Sequence, residues 1–391
     1  MSHIHWNEMN CVANASLQQG NHLELSSVQS FYISEKPPPN FILPDDITCQ
    51  VYHPRTLDGS ICDIISQHLQ SQIIDFVNVN DCTDSGNITE LSIESFNRIL
   101  STPSFLGFLI KDKKIIGTMF TLVFRACYQD HPSKEPFEFL TSYTTFLCIA
   151  KSFREKGLAM ALIRSIMKAG HDRYGIHHGY YMTADTHHTI NNKIESWYRP
   201  LNIRKTADSG FVLETFARKG DRAASIRQKL AYHINKPNNL PVRIMPSNFK
   251  DKSSFLSASD AYERVLKIFH KGDLYLKPTL QEFECLCQCF DVYITDADGF
   301  FMLFPMNSLI SSTRKHIHNA QLALMIGDAM NQALWAANES GYDLLYGWCG
   351  GDITATNVKS VRGLITTATS YLEFYNTRKS IPNNRTMLPI F

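Results

Sequence analysis

An α/β fold built as two similar halves is predicted for this chain of 391 residues. Three observations predict it. Apolar runs of strand length alternate with stretches whose apolar residues recur at helical spacing. Two pairs of apolar runs flank short polar turns, KDKK at 111–114 and DADG at 296–299, as hairpins do. The order hairpin, helix, strand occurs once before residue 232 and again after it, although no sequence repeat is visible.

Residues 1–30 are polar and read as a flexible segment. FYISEKPPPN (31–40) is extended, because consecutive prolines exclude helix. DGSICDIISQHLQSQIIDF (58–76) spaces Ile61, Ile64, Ile65, Leu69 and Ile73 for one helix face. VNVNDCTDSGNITELS (77–92) reads as a polar loop and IESFNRIL (93–100) as a short helix. FLGFLIKDKKIIGTMFTLVF (105–124) is the first hairpin and EFLTSYTTFLCIA (138–150) the next strand. Leu158, Leu162, Ile163 and Ile166 then mark a helix face, and GYYMTAD (179–185) a further strand.

HINKPNNLP (233–241) has the turn residues of a junction, dividing the chain into halves at 31–232 and 233–391. In the second half DVYITDADGFFMLFPM (291–306) is a hairpin and NAQLALMIGDAMNQALWAANES (319–340) a long helix. YDLLYGW (342–348) and YLEFYN (371–376) are strands.

Hydrophobic residues make up 44% and charged residues 19% of the chain, which places it among globular proteins with a buried core. A net charge of +1 argues against a general grip on nucleic acid. The opening MSHIHWNEMN has no signal-peptide pattern, and no apolar stretch is long enough to span a bilayer. Ten cysteines without an export signal point to reduced thiols in the cytoplasm.

Cys285, Cys287 and Cys289 lack a second pair at zinc spacing and read as packing residues. DADG lacks the remaining ligands of a calcium loop and reads as a hairpin turn. His171, His177, His178, His187 and His188 crowd one region without an accompanying metal motif. Exposed loops account for them, and no metal is expected.

The densest chemistry lies in FLCIAKSFREKGLAMALI (146–163), where a strand ends, a basic turn follows and a helix begins. Arg154-Glu155-Lys156-Gly157-Leu158-Ala159 has the pattern R-x-x-G-x-A. The first helical turn has backbone N–H groups without intrahelical partners and a positive dipole end. Gly157 lets a bulky anion approach the backbone, and Arg154 and Lys156 add positive charge. A pyrophosphate fits this description, and acyl-coenzyme A acyltransferases of the GNAT fold use it. A solvated basic turn before an ordinary helix carries the same pattern.

FLCIAKSFREKGLAMALI is followed by WYRPLNIRK (197–205). Before it come SFYISEKPPP (30–39) and ILPDDITC (42–49); after it come YMTAD (181–185), GYDLLYG (341–347) and YLEFYN. In this order, across about residues 30–391, these segments resemble the eukaryotic N-myristoyltransferases, or glycylpeptide N-tetradecanoyltransferases. The resemblance implies two tandem GNAT-like halves around a continuous, saddle-shaped mixed sheet. The N-terminal half would bind myristoyl-CoA, and a peptide or protein with an N-terminal glycine would lie across both halves. The acyl group would pass from the thioester to the glycine amine, in a cytoplasmic monomer that needs no metal.

The same resemblance implies a set of site residues. Phe146 and Leu147 would supply an oxyanion hole from their backbone amides. Cys148, Ile149, Arg154, Glu155, Lys156, Gly157, Leu158 and Ala159 would continue the donor site, covered by Phe31 and Tyr32 from the arm. Thr183 would stand near the amine, and the carboxylate of Phe391, at the end of TMLPIF, would be the base. Asp75, Asp81, Asp84, Tyr198, Asn202 and Ser308 are the corresponding peptide-site candidates.

The chemistry is consistent with those roles. Negative charge grows on the thioester oxygen during attack, and losing one N–H donor to it typically costs about 3 kcal/mol. An ordinary α-carboxyl near pKa ~3.5 lies about four units below an α-amine near ~8, roughly 6 kcal/mol of mismatch. A drier site raises the acid and narrows that gap. Each residue also has a plainer reading. Phe146 and Leu147 suit a core, a strand-end threonine needs no proton to carry, and Asn202 can simply shape its turn.

Several positions depart from the family pattern. Tyr198 stands where the family has histidine, Ser196 where it has an aromatic residue, and Cys349 where it has aspartate. The stretch 77–90 is longer and carries fewer acids. Two further readings therefore stand beside the enzyme: a catalytically weakened acyl-CoA-binding homologue, and a GNAT acyltransferase with a different acceptor.

Overall fold

A computed structural model describes residues 42–80, 87–129, 135–183, 192–211, 234–249, 255–270, 272–310, 313–349, 352–353, 364–375 and 386–390. The first elements are β1 (Thr48–Tyr52), α1 (Gln67–Asn80), β2 (Asn87–Glu90), α2 (Ile93–Leu100), β3 (Ser104–Lys111), β4 (Lys114–Tyr128) and β5 (Phe137–Ile149). They are followed by α3 (Leu158–Tyr174), β6 (His178–Thr183), β7 (Asn192–Pro200), α4 (Ile203–Asp208), β8 (Val242–Met245) and β9 (Phe255–Ser257). Next come α5 (Ala258–Phe269), β10 (Leu274–Leu276), α6 (Leu280–Cys289), β11 (Asp291–Ile294), β12 (Phe300–Ile310) and β13 (Lys315–Ile326). The chain closes with α7 (Met330–Glu339), β14 (Leu344–Trp348), β15 (Ile365–Tyr375) and β16 (Thr386–Met387).

Among the described residues these strands form one sheet of 16, its main path running β1-β3-β4-β5-β6-β15-β7-β14-β13-β12-β11-β8-β9. The repeated plan is visible in that order. Hairpin β3–β4 leads to β5, helix α3 and the parallel strand β6; hairpin β11–β12 leads to β13, helix α7 and the parallel strand β14. At the centre the two units interlock, because β15 pairs with β6 while β7 pairs with β14.

Local chemistry sets the joints. Asp112 and Lys113 both take positive φ, 49° and 61°, which a two-residue hairpin turn needs to follow the strand twist. Ser92 caps α2 by accepting from the Ser95 amide at 3.0 Å, and Thr279 and Glu282 form a reciprocal capping box on α6. Helix α3 lies so close to β3 that a Cβ on Gly107 would stand 2.6 Å from Ile166 and 2.9 Å from Leu162.

The sheet buries both faces. On one, Leu158, Leu162 and Ile166 of α3 pack on Phe105, Leu109 and Met119. Further along, Met330, Ala333 and Leu334 of α7 pack on Trp197, Phe301 and Leu322. The larger core joins α1, α2, α5 and α6 to the sheet through Ile73, Phe96, Phe120, Phe269 and Phe283. Buried Asp291 ties several elements together. It accepts from Arg98 of α2 at 3.0 Å, from Arg243 of β8, and from the hydroxyl of Tyr342 at 3.0 Å.

Three stretches fold otherwise than the pattern predicts. Helix α1 begins only at Gln67, and Ile61 and Ile64 are exposed before it. The helix runs on through VNVN to Asn80, because the Asn78 amide group exchanges hydrogen bonds with the Leu91 backbone at 2.7 and 3.2 Å. Residues 87–90, expected in a loop, form β2 against Asn307–Ile310 of β12. The long helix expected at 319–340 is instead the inner strand β13, a turn at Gly327 (φ 78°) and the short helix α7.

Cys285, Cys287 and Cys289 are buried thiols on α6. The histidine cluster departs from the expected exposed loops. His178 opens β6 fully buried, its Nδ1 2.5 Å from the Thr141 hydroxyl, while His187 and His188 lie outside the described residues. Burial pushes the His178 pKa down to about 3. The unfolded chain protonates this ring near pH ~6.5, so protons favour unfolding between about pH 6.5 and 3. Stability should therefore fall as pH drops through that window. Urea unfolding at stepped pH should give a shallower acid loss for His178→Gln than for the parent; parallel losses would contradict this.

Candidate functional site

The sheet's one strained strand residue among the described residues is Phe146, whose φ is +51°. For a non-glycine residue that conformation costs roughly 1–2 kcal/mol. It arises at a bulge. On β4 Thr118 faces Cys148 and Phe120 faces Thr145, so Met119 alone spans the pair Phe146–Leu147. The Phe146 ring packs on Phe120 at 5.5 Å between centroids, whereas Leu147 is 39% exposed. The buried hydroxyl of Thr118 donates to the Phe146 carbonyl at 3.2 Å. In a trans peptide the next N–H points the opposite way. The Leu147 amide is thereby aimed away from Thr118.

This bulge adjoins a gap between parallel strands. Strand β5 pairs with β6 only from Thr141–His178 to Thr144–Tyr181. Beyond that point β5 runs on to Ile149 and β6 to Thr183 without pairing to each other. The β6-side edge of β5 from Thr145 onward therefore faces the opening, with the bulge at its start.

The turn after β5 is built largely from backbone. A single 3₁₀ turn, Lys151–Phe153, precedes Arg154; Glu155 then takes φ +64° and Gly157 φ +74°. Gly157 caps α3 with no side-chain bond to the first turn, and the earliest intrahelical bond there runs from Ala161 N to Gly157 O. The amides of Leu158, Ala159 and Met160 thus stand ahead of the ladder, as an anion site requires.

Lys156 and Lys111 place their ammonium groups 5.0 and 5.6 Å from the centre of the Phe153 ring, and Lys111 also pairs with Asp46 at 2.5 Å. Arg154 does something the pattern did not show. Its guanidinium donates to the carbonyl of Ile149 at 3.0 Å and to that of Asn80 at 3.3 Å, tying the turn to the end of α1. Glu155 is exposed; Cys148, Ile149 and Leu158 are buried, so their side chains pack while their backbones line the turn.

The chain's last described residues run into the core. β16 pairs in parallel with β10, and Met387, Leu388 and Ile390 are buried. Tyr180 donates its hydroxyl to the Pro389 carbonyl at 2.9 Å, and the Ile390 amide donates to Ala323 O at 2.8 Å. Phe391 lies outside the described residues, as do Phe31, Tyr32, Asp81 and Asp84. Thr183 pairs with Tyr371 at the end of β6.

Among the peptide-site candidates, Tyr198 is buried on β7 with its ring edge-on to Phe211 at 5.3 Å. Ser308 accepts from the Asn319 side chain at 2.6 Å, and Asp75 is exposed on α1. Asn202 has a structural engagement: it caps α4 and donates to buried Asp343 at 3.2 Å, which also pairs with Lys205. Among the described residues no group of three or more His, Cys, Asp or Glu is placed to hold a metal, and no helix is long and apolar enough to cross a membrane.

No protein-family model matches the sequence, and no curated protein matches it. Solved structures do. A Saccharomyces cerevisiae N-myristoyltransferase with bound myristoyl-CoA superposes with a TM-score of 0.70 at 14% identity, covering 100% of this chain and 95% of that one. The fold is that of N-myristoyltransferase. A second structure of the yeast enzyme with myristoyl-CoA gives 0.69 at 14% identity over 97% and 94% of the two chains. A third, with myristoyl-CoA and inhibitors, gives 0.65 at 15% over 96% and 98%. In this chain the gap, the bulge and the buried tail all lie within that fold.

Proposed function

We propose that this protein is an N-myristoyltransferase, moving a myristoyl group from myristoyl-CoA to the N-terminal glycine amine of a peptide or protein. The observation that carries this reading is the Phe146–Leu147 bulge, which aims an amide beside the gap between β5 and β6, one turn of chain away from the open amides of α3. Residues 31–232 take the donor, and 233–391 complete the acceptor site. The amides of residues 158–160 and Lys156 hold the pyrophosphate. The Leu147 amide, with its neighbour at Phe146, receives the thioester oxygen as it gains charge.

The incoming amine gives up a proton to the Phe391 carboxylate, at the end of the tail that enters the core. Its nitrogen then bonds to the carbonyl carbon, the C–S bond breaks, and coenzyme A leaves as a thiolate that takes up a proton. Phe31 and Tyr32 close over the donor, and Thr183 stands beside the amine. Asp75, Asp81, Asp84, Tyr198 and Ser308 border the peptide, while Asn202 supports that wall through Asp343.

The test is transfer of labelled myristate from its thioester to a panel of glycine-initiated peptides, with donor binding measured alongside. Transfer to the glycine amine is expected, with acetyl-CoA a poor donor. Tight myristoyl-CoA binding without turnover would instead select the non-catalytic homologue. Transfer only to another class of acceptor would select a different acyltransferase.

A further inference from the structure

We propose that the open cavity between α4 and the start of β13 is a subsite for an anionic side chain of the acceptor, a carboxylate or a phosphate ester. The inference rests on the acyl-transfer reading above and adds to it the charge that the acceptor should carry. The cavity measures about 470 Å³ and shares no residue with the bulge or the donor turn. Arg204, Lys205 and Asp208 line it from α4, and Lys315 and His316 line it from β13. Three cations therefore face one carboxylate in the lining.

The meeting of the two halves builds this cavity, since α4 follows β7 in the first half and β13 belongs to the second. Lys315 donates to the Asp208 carbonyl at 2.7 Å, and the Thr313 hydroxyl donates to that of Ser209. Lys205 is braced by buried Asp343 at 2.5 Å. Those contacts hold two ammonium groups in place. Arg204 differs. Its side chain is 94% exposed, and it meets Asp208, itself 66% exposed, at 4.0 Å. So loose a pair contributes little in water and yields readily to a better partner. A planar guanidinium takes carboxylate or phosphate oxygens two at a time, which a neighbouring ammonium can support.

The surroundings fix the sign of the ligand. Glu90 is the one acid among the described residues of 77–90, and its carboxylate lies 2.6 Å from Nδ1 of His316. A cationic acceptor side chain would have to compete with His316 for Glu90 while passing Arg204 and Lys315. An anion meets no such opposition. The cavity also adjoins the acceptor candidates. Asn202 forms part of its wall, and His316 pairs with Leu309, the neighbour of Ser308 on β12. An acceptor lying across both halves and passing Ser308 would reach it.

Exposed ion pairs are individually weak, so the subsite should bias turnover rather than decide it. An acidic residue at the matching position should raise kcat/KM about 3- to 10-fold over a lysine there.

The experiment uses glycine-initiated peptides carrying one glutamate, phosphoserine or lysine at successive positions, with the parent, Arg204→Glu and Lys315→Gln. Transfer is measured alongside binding of the same peptides, fluorescently labelled, in the presence of a myristoyl-CoA thioether. We expect the acidic preference to peak at one position and to shrink as ionic strength rises. Arg204→Glu should abolish or invert it, Lys315→Gln should reduce it, and the rate with an uncharged peptide should stay unchanged. Retained thioether binding reports a folded variant. A parallel calorimetric titration with inorganic phosphate separates the two sources of such an anion. Phosphate binding that depends on Arg204, without any charge preference among peptides, would assign the cavity to a free anion and contradict the acceptor subsite. An active parent with equal rates for acidic and basic peptides, or a preference that Arg204→Glu leaves intact, overturns the subsite alone. Arg204-dependent binding of acidic peptides without transfer overturns the acyl-transfer reading and leaves the subsite standing. A folded parent that neither binds nor acylates any peptide overturns both.

Discussion

Two glycines appended after Phe391 should lower turnover by about 100- to 10,000-fold, the range for loss of a positioned general base, while affinity for myristoyl-CoA stays essentially unchanged. The physical reason is the path of the tail. Met387, Leu388 and Ile390 are buried, so the chain arrives in the core already desolvated, and added residues must either displace it or carry the carboxylate elsewhere. Desolvation is what lifts an α-carboxyl from its ordinary range toward that of the amine it serves. Single-turnover transfer with pre-bound donor isolates this step from binding. Equal rates with and without the extension would remove Phe391 from the mechanism.

Gly157→Glu should weaken donor binding about tenfold or more, equivalent to at least ~1.4 kcal/mol. Two effects add. At φ +74° any side chain is strained, and the new carboxylate would occupy the amides that the phosphates need. Gly157→Ala separates them, because it keeps the strain and omits the charge. Its affinity should fall between the parent and Gly157→Glu. Calorimetric titration with the thioether analogue and with coenzyme A alone reads both, and unaltered affinity in Gly157→Glu would refute the cradle.

The strand–turn–helix joint was legible in the sequence because each part has a local cause. An apolar run ends, Gly157 supplies a left-handed cap, and an apolar stripe resumes at helical spacing. The strain at Phe146 was not legible. Nothing in a phenylalanine marks a positive φ, which comes from a register shift against β4, a strand whose partner residues begin nearly thirty positions upstream.

β13 shows the same limit in a different form. Asn319–Ile326 is rich in Ala, Leu and Met, residues that favour helix, but it is an inner strand covered on both faces, and such strands lose their alternation. Tertiary pairing with β12 and β14 overrides the local preference there.

The site's supporting contacts were equally out of reach. Arg154 invited reading as a phosphate ligand, yet its guanidinium is engaged by the carbonyls of Ile149 and Asn80, the latter far away in sequence. Tyr180 and Gln321 carry no motif at all and become visible only through the tail they hold. The exposed apolar pair Ile61 and Ile64 fitted a helix face by spacing, but the helix starts at Gln67, after them.

A crystal structure of the protein with a non-hydrolysable myristoyl-CoA thioether would measure the geometry on which acyl transfer depends. The pyrophosphate is expected at about 3 Å from the amides of residues 158–160, and the carbonyl oxygen of the acyl group at about 3 Å from the Leu147 amide. A nucleotide lodged away from this turn, or an acyl carbonyl pointing away from the bulge, would contradict the account.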